Sequence, residues 1–217
     1  MENIYAVIDV KAFYASFECI ERNLDPFTTP LVVTDVARKE ATIVLSVSPY
    51  LKAMGVPSRC RRADLPKNIP NMIYATPQMG KYVKCSAKIV SILLDFIAQD
   101  DIHVYSIDEA FLDVTDYLSL YNMTAFELAK KIMDDIYKEL KLTATAGIGT
   151  NLFLSKVALD ITAKHVATNI GYLDEEKFVK ELSLHTPLTD FWQIGRGIAR
   201  RLNKLGIYTL KDLREKD

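Results

Sequence analysis

The 217-residue chain has little of what usually announces a specialised class. Its three cysteines, Cys19, Cys60 and Cys85, are too far apart for a CxxC metal or redox motif, and an odd number fits a reducing cytoplasm. The three histidines, His103, His165 and His185, are equally scattered, which argues against zinc. No apolar run reaches transmembrane length, and the N-terminus lacks the basic, apolar pattern of a signal peptide, so no membrane role is expected. Neither sign of charge is in excess: 27 Lys and Arg against 28 Asp and Glu leave a net charge of −1. Any nucleic-acid-binding surface must therefore be local. Repeats and low-complexity segments are missing too. What the chain does have is apolar residues, 49% of the total, enough to bury a sizeable core in one large domain or one domain with smaller attachments.

Against this background three acids stand out. Asp9 closes the apolar run IYAVID, and Asp108-Glu109 sits between the apolar residues of YSI and AFL. Singly, an Asp at a strand end is usually a turn-former or a helix cap, and an Asp-Glu pair between strands is usually an exposed hairpin turn. Together, on two strands lying side by side, they would bring three carboxylates into one place. Such a group is costly unless cations neutralise it. Hard divalent ions with oxygen ligands do this, and a metal pair can clamp an in-line phosphoryl displacement. The acids alone point to a Mg²⁺-dependent enzyme acting on a nucleotide.

Periodicity places these residues on an alternation of strands and helices. Residues 4–9 read as a buried strand, followed by a helix with Phe13, Phe17 and Ile20 at helical spacing. Strands are expected at residues 31–33 and 42–47, and a short glycine-ended helix at 49–55. A long helix follows near 81–98, with Val83, Ala87, Val90 and Leu94 as its apolar stripe. The hairpin with Asp108-Glu109, an amphipathic helix over 125–140, a strand over 143–150 and a helix capped by Asn151 complete the pattern. After Lys164 the sequence reads as purely helical. An α+β fold with a mixed or antiparallel sheet backed by helices is the expectation.

The C-terminal stretch FWQIGRGIARRLNKLGIYTLKDL sets Gly195-Arg196-Gly197 at a helix start and Leu-Gly-Ile at the end of the same helix. Glycines there let backbone N–H groups approach a phosphate, and the helix N-terminus favours the anion. Arg196, Arg200, Arg201 and Lys204 add positive charge. This pattern resembles a helix-hairpin-helix, which binds the DNA backbone without regard to sequence. A plain helical pair with a solvated basic face is the competing reading.

In order, D-V-K-A-F-Y-A-S from Asp9 to Ser16, Y-S-I-D-E-A-F from Tyr105 to Phe111 and G-I-G-T-N-L-F-L-S-K from Gly147 to Lys156 precede this motif. Over essentially the whole chain the combination resembles the Y-family translesion DNA polymerases, and its wording is most similar to the UmuC branch. The resemblance implies a palm with a mixed β-sheet (residues 1–25 and 78–166). A small α/β fingers insertion (26–77) and a helical thumb with the helix-hairpin-helix (167–217) complete the implied fold. It implies template-directed transfer of a nucleotide from a deoxynucleoside triphosphate (dNTP) to a primer 3′-hydroxyl with two Mg²⁺ ions, Mn²⁺ being an alternative. Asp9 and Asp108 would bridge both metals, Glu109 would serve the metal at the 3′-hydroxyl, and the Val10 carbonyl would complete a shell.

The resemblance also groups Phe13, Tyr14, Lys52 and Lys156 as nucleotide-binding. Tyr14 takes the role of a steric gate against the ribose 2′-hydroxyl, and Phe13, in helical step with Phe17, is the better core candidate. Lys156, from the start of its helix, and Lys52 would meet the triphosphate. Gly195, Arg196, Gly197 and Arg200 would hold DNA. The chain departs from the family where Pro49-Tyr50-Leu51-Lys52 replaces the common Y-x-A-R and where the stretch after Lys164 lacks K-P-N-G. The family usually continues into a little-finger domain, so a catalytic core with weak DNA grip is expected. Primer–template DNA and dNTP are the implied partners; a sliding clamp, a RecA filament and a UmuD-like subunit are implied by resemblance only. Two other classes compete. A palm-type cyclase would need neither gate nor helix-hairpin-helix, and an inactive DNA-binding scaffold would be favoured were any of the three acids missing.

Overall fold

The computed structural model describes residues 3–216. Strand β1 (Tyr5–Val10) is an apolar run with Ala6, Val7 and Ile8 buried, as a strand covered on both faces requires. It is followed by α1 (Phe13–Ile20), β2 (Leu31–Val33), β3 (Ser46–Val47), α2 (Pro49–Ala53), β4 (Ile73–Ala75) and α3 (Met79–Leu94). The hairpin β5 (Ile102–Val104) and β6 (Glu109–Asp113) comes next, then α4 (Thr115–Tyr121), α5 (Ala125–Leu140) and β7 (Ala144–Gly149). The chain continues through α6 (Leu152–Val157), β8 (Ile170–Leu173), α7 (Glu175–Leu182), α8 (Arg196–Lys204) and α9 (Leu210–Arg214). A π-helical turn, Ala158–Thr162, extends α6.

Two mixed sheets organise these elements, so the fold is α+β. The larger has the order β5-β6-β1-β7-β8, with β5–β6 and β6–β1 antiparallel and β7–β8 parallel. The smaller is β3-β2-β4, with β2 antiparallel to β3 and parallel to β4. Two compact units result. One takes in Met1–Asp9, Leu93–Asp135 and Ala144–Asp217, the other Val10–Ile92 and Ile136–Thr143. In the first, Leu154, Val157, Leu173, Leu182 and Phe191 form one core cluster, and Val7, Phe111 and Leu159 form another against Trp192. In the second, Val32, Val44, Val47 and Leu51 pack under the small sheet, and Ala15, Cys19, Leu31 and Val33 pack under α1.

Helix α5 has the span its periodicity predicts, with Leu128, Ile132 and Ile136 buried one turn apart. Three expectations are corrected. The strand expected at 42–47 is laddered only at Ser46–Val47. Before it, Ile43 makes an isolated bridge to Arg61, and the Val44 N–H goes to the Cys60 carbonyl. The stretch after Lys164 is not purely helical, because β8 pairs with β7 there. Four residues including a glycine are too short to show a period, and Gly171 is needed because an added Cβ would lie 2.6 Å from the Ala158 carbonyl. On α3 the buried stripe is Tyr82, Cys85, Ile89, Ile92 and Leu93, while Val83 and Leu94 are exposed. With apolar residues on both sides of that helix, periodicity alone does not choose the face. Among the described residues no helix is long and apolar enough to cross a membrane.

Candidate active site

The register of the large sheet brings two of the three acids together. In the β1–β6 ladder Asp9 stands opposite Glu109, after the apolar pairs Ala6–Leu112, Val7–Phe111 and Ile8–Ala110. Residues directly opposite on an antiparallel pair project to the same face. Asp108 is the last residue of the β5–β6 turn, where Ser106 Oγ donates to its Oδ1 at 2.8 Å. The turn is closed by Tyr105 and Ser106, whose N–H groups both donate to the Glu109 carbonyl at 3.0 Å. The Trp192 indole donates to the Tyr105 hydroxyl at 3.4 Å, and its ring packs on Phe111.

Lys156 completes this group from α6. Its ammonium lies 2.8 Å from Glu109 Oε1 and 3.1 Å from Asp160 Oδ2, with the side chain only 9% exposed. The approach to β7 that this requires is made possible by glycine. A Cβ on Gly147 would fall 2.1 Å from the Ser155 carbonyl oxygen, and one on Gly149 would fall 2.3 Å from the Ser155 nitrogen. Asn151 caps α6, its side chain accepting from the Leu154 N–H at 2.8 Å, as the sequence predicts. Lys156 is in the last turn of α6, not the first, and is buried between two carboxylates. One helical step further, Lys164 reaches Asp160 at 3.3 Å with a side chain 53% exposed.

The electrostatics are those of crowded acids. Burial first, then the charges of Asp108 and Glu109, push the Asp9 carboxyl up to about 7, against the pull of Lys156 and Lys164. Burial also raises the Glu109 carboxyl, opposed by Lys156. Burial pulls the Lys156 ammonium down, but Glu109 and Asp160 outweigh it and hold it above the ordinary lysine value. Glu109 Oε1 is buried, with the Lys156 ammonium as its ion-pair partner. An oxygen-only donor set and a carboxyl that resists ionising fit a hard divalent cation. Among the described residues, no three His, Cys, Asp or Glu side chains already stand in ligating geometry; Lys156 supplies the neutralising charge.

The remaining predicted residues lie elsewhere. Phe13, Tyr14 and Lys52 belong to the second unit. Phe13 is 1% exposed and packs against Tyr14, Phe17 and Tyr82, so its side chain is core. Tyr14 is half-buried, its ring 4.9 Å from that of Tyr82. Ala12 turns the chain from β1 into α1 in a left-handed conformation, φ 48°, costing a non-glycine residue about 1 kcal/mol. Ser16 Oγ holds that turn by donating to the Lys11 carbonyl at 2.6 Å. Lys52 is in the last turn of α2. Gly195 is the N-cap of α8, Arg196, Gly197 and Arg200 are in it, and Gly206 ends it at φ 77°. A Cβ on Gly195 or Gly197 would meet nothing, so packing does not require glycine at either position.

Sequence reasoning missed Asp160, Lys164 and, on α1, the buried Glu18 whose carboxylate accepts from the Tyr82 hydroxyl. The signal for the first two was four-residue spacing from Lys156, which sets all three on one helical face. Glu18 had no signal, since an acid on an amphipathic helix reads as solvated.

The chain matches the family model described as impB/mucB/samB over residues 8–160. A Bacillus subtilis (strain 168) protein named for UV-damage repair, UvrX, is 33% identical over 207 residues, covering 95% of this chain and 48% of the relative. DNA polymerase IV 2 of the same organism is 32% identical over 212 residues, covering 98% of this chain and 50% of its own. The chain therefore spans about half the length of these curated relatives. Among solved structures, a Y-family DNA polymerase chimera of Dbh and Dpo4 superposes with a TM-score of 0.82 at 29% identity, covering 99% of this chain and 61% of the other.

Proposed function

Because the chain belongs to the impB/mucB/samB family, with Y-family DNA polymerases among its structural relatives, we propose that it is the nucleotidyl-transfer core of a template-directed DNA polymerase acting in translesion synthesis. The observation that carries this is the cross-strand pairing of Asp9 with Glu109, next to Asp108. In this reading residues 1–25 and 78–166 are the palm, 26–77 the fingers and 167–217 the thumb, and the motif wording resembles the UmuC branch. Asp9, Asp108, Glu109 and the Val10 carbonyl would hold two Mg²⁺ ions, or Mn²⁺, which when bound supply Lewis-acid activation of the primer hydroxyl and neutralise the leaving pyrophosphate.

The chain's own residues do the rest. Lys156 holds Glu109 in place rather than meeting substrate, because its ammonium is spent on two carboxylates. Lys164 also pairs with Asp160, but its side chain is 53% exposed, and it takes over as the cation for the triphosphate, a task suited to a compact, non-bidentate charge. Lys52 assists from α2. The Tyr14 ring excludes a ribose 2′-hydroxyl by clash. Helices α8 and α9 act as the helix-hairpin-helix, Gly195 and Gly197 keeping the backbone open to a DNA phosphate with Arg196 and Arg200 alongside. The site would work in the cytoplasm on primer–template DNA. A sliding clamp, a RecA filament or a UmuD-like subunit enters by resemblance alone.

Primer extension with Mg²⁺ and each dNTP tests the proposal. The parent chain extends the primer, and Asp108→Ala reduces extension by about 10³-fold or more without changing the circular dichroism spectrum. Equal extension by the variant would sink the assignment of the acids. Binding of the primer terminus by both, with extension by neither, would favour a DNA-binding scaffold.

A further inference from the structure

Helix α1 carries a buried carboxylate that the proposed reaction does not use. Glu18 is 0% exposed. Its Oε1 accepts from the Tyr82 hydroxyl at 2.6 Å and from Gln78 Nε2 at 3.1 Å, and its Oε2 accepts from Gln78 Nε2 at 3.2 Å and from the Arg22 guanidinium. Burying an acid is costly unless it is fully paired, and an apolar residue of similar volume would often serve stability as well. The network therefore calls for a purpose beyond packing.

Geometry suggests one. Tyr14 and Glu18 are four residues apart on α1, about 6 Å along its axis on one face. Tyr82, fully buried on α3, spans that interval. Its ring lies 4.9 Å from the Tyr14 ring at an interplanar angle of 59°, while its hydroxyl is fixed on Glu18. Phe13 and Phe17 close the sides, their rings 6.3 and 5.3 Å from that of Tyr82. A plain hydrocarbon in this place would fill the same space but leave its depth and tilt to packing alone. Tying the hydroxyl to a buried carboxylate fixes both, and so fixes the surface on which Tyr14 rests. Exclusion by clash depends steeply on position, and a functional side chain must be held to within about 0.5 Å.

We propose that Glu18 and Tyr82 are specificity-determining positioning residues, which seat the Tyr14 ring where it excludes a ribose 2′-hydroxyl. This rests on the gate reading of Tyr14. The test measures ribonucleotide against deoxyribonucleotide incorporation for the parent, Tyr14→Ala, Tyr82→Phe, Glu18→Gln and a packing control, Cys85→Ala, with melting temperatures for all. Fluorine NMR of fluorotyrosine-labelled protein, with the Tyr14 signal assigned by Tyr14→Phe, reads ring placement independently of turnover.

Tyr82→Phe and Glu18→Gln are expected to raise the ribo-to-deoxy ratio roughly tenfold and to shift and broaden the Tyr14 resonance. Cys85→Ala loses melting temperature with the ratio unchanged. A raised ratio in Tyr14→Ala with parental ratios in the other two overturns the positioning role and leaves the gate intact. An unchanged ratio in Tyr14→Ala overturns the gate and this inference with it. Where no form extends a primer, an unmoved Tyr14 resonance in both variants overturns the positioning role.

Discussion

Asp9 and Glu109 are cross-strand partners, set directly opposite each other by the antiparallel register of β1 and β6. Like charges in that position destabilise a ladder, and apolar pairs behind them hold the register. The sheet thus holds a repulsion that a bound cation would relieve. Because burial and its two acidic neighbours raise the Asp9 carboxyl to about 7 from 3.8, the folded chain binds a proton there that the unfolded chain releases at lower pH.

The sign of the pH effect follows. Below about pH 4 Asp9 is protonated in both states and costs nothing. As the pH rises towards 7 the folded state is increasingly penalised, and above 7 the penalty is complete, at most about 4 kcal/mol at about 1.4 kcal/mol per pH unit. Asp9→Asn is therefore expected to melt several degrees above the parent at pH 8 in EDTA and level with it at pH 4. Adding Mg²⁺ should raise the parent's melting temperature more than the variant's. A variant no more stable than the parent at pH 8 would contradict the stored repulsion.

Lys156 and Lys164 should separate under substitution although they share Asp160. Lys156→Met leaves Glu109 and Asp160 without their buried partner and should cost roughly 3 kcal/mol in urea unfolding. Lys164→Ala removes an exposed cation and should cost no more than about 0.5 kcal/mol, while raising the dNTP KM about tenfold. Reversal of these two patterns would return the triphosphate role to Lys156.

Much of this site was legible because short motifs sit at strand ends. Asp9, Asp108, Glu109 and the Asn151 cap lie where an apolar run stops, and stops are visible in sequence. What escaped depends on choices between faces. On α3, apolar residues lie on the exposed face as well as on the buried face of Tyr82, and the Glu18 carboxylate that accepts from its hydroxyl lies 64 residues away in sequence. That Glu109 and Asp160 flank the Lys156 ammonium is a matter of how α6 packs on the sheet, which the sequence does not display. Strand β8 is invisible by period because Gly171 is there to pass under the Ala158 carbonyl, not to pack a side chain.

Gly147 offers a sharp steric test. Its missing Cβ is the space through which the backbone of Ser155 and Leu159 passes. Gly147→Ala must push the segment carrying Lys156 off β7, at a cost of about 3 kcal/mol or more. Gly80→Ala, in the open first turn of α3, should be neutral or stabilise by about 0.5 kcal/mol. Equal melting temperatures for the two variants would show that the close approach is not tight in solution.

The basic helix α8 makes its own prediction. Arg196 and Arg200 lie on it beside glycines that packing does not demand, so the helix can face a phosphate with both charge and open backbone. If the contact is to the DNA backbone, Arg196→Ala and Arg200→Ala should each weaken binding by a similar factor on unrelated primer–template sequences. Each should also lower the slope of log Kd against log salt by about 1. Fluorescence anisotropy across a potassium chloride series measures both quantities. Lys130→Ala, on α5 and paired with Asp134, serves as the control that should change neither. Sequence-dependent losses would indicate base contacts instead, because a phosphate contact carries no sequence information. An unchanged salt slope in both arginine variants would remove α8 from the DNA interface.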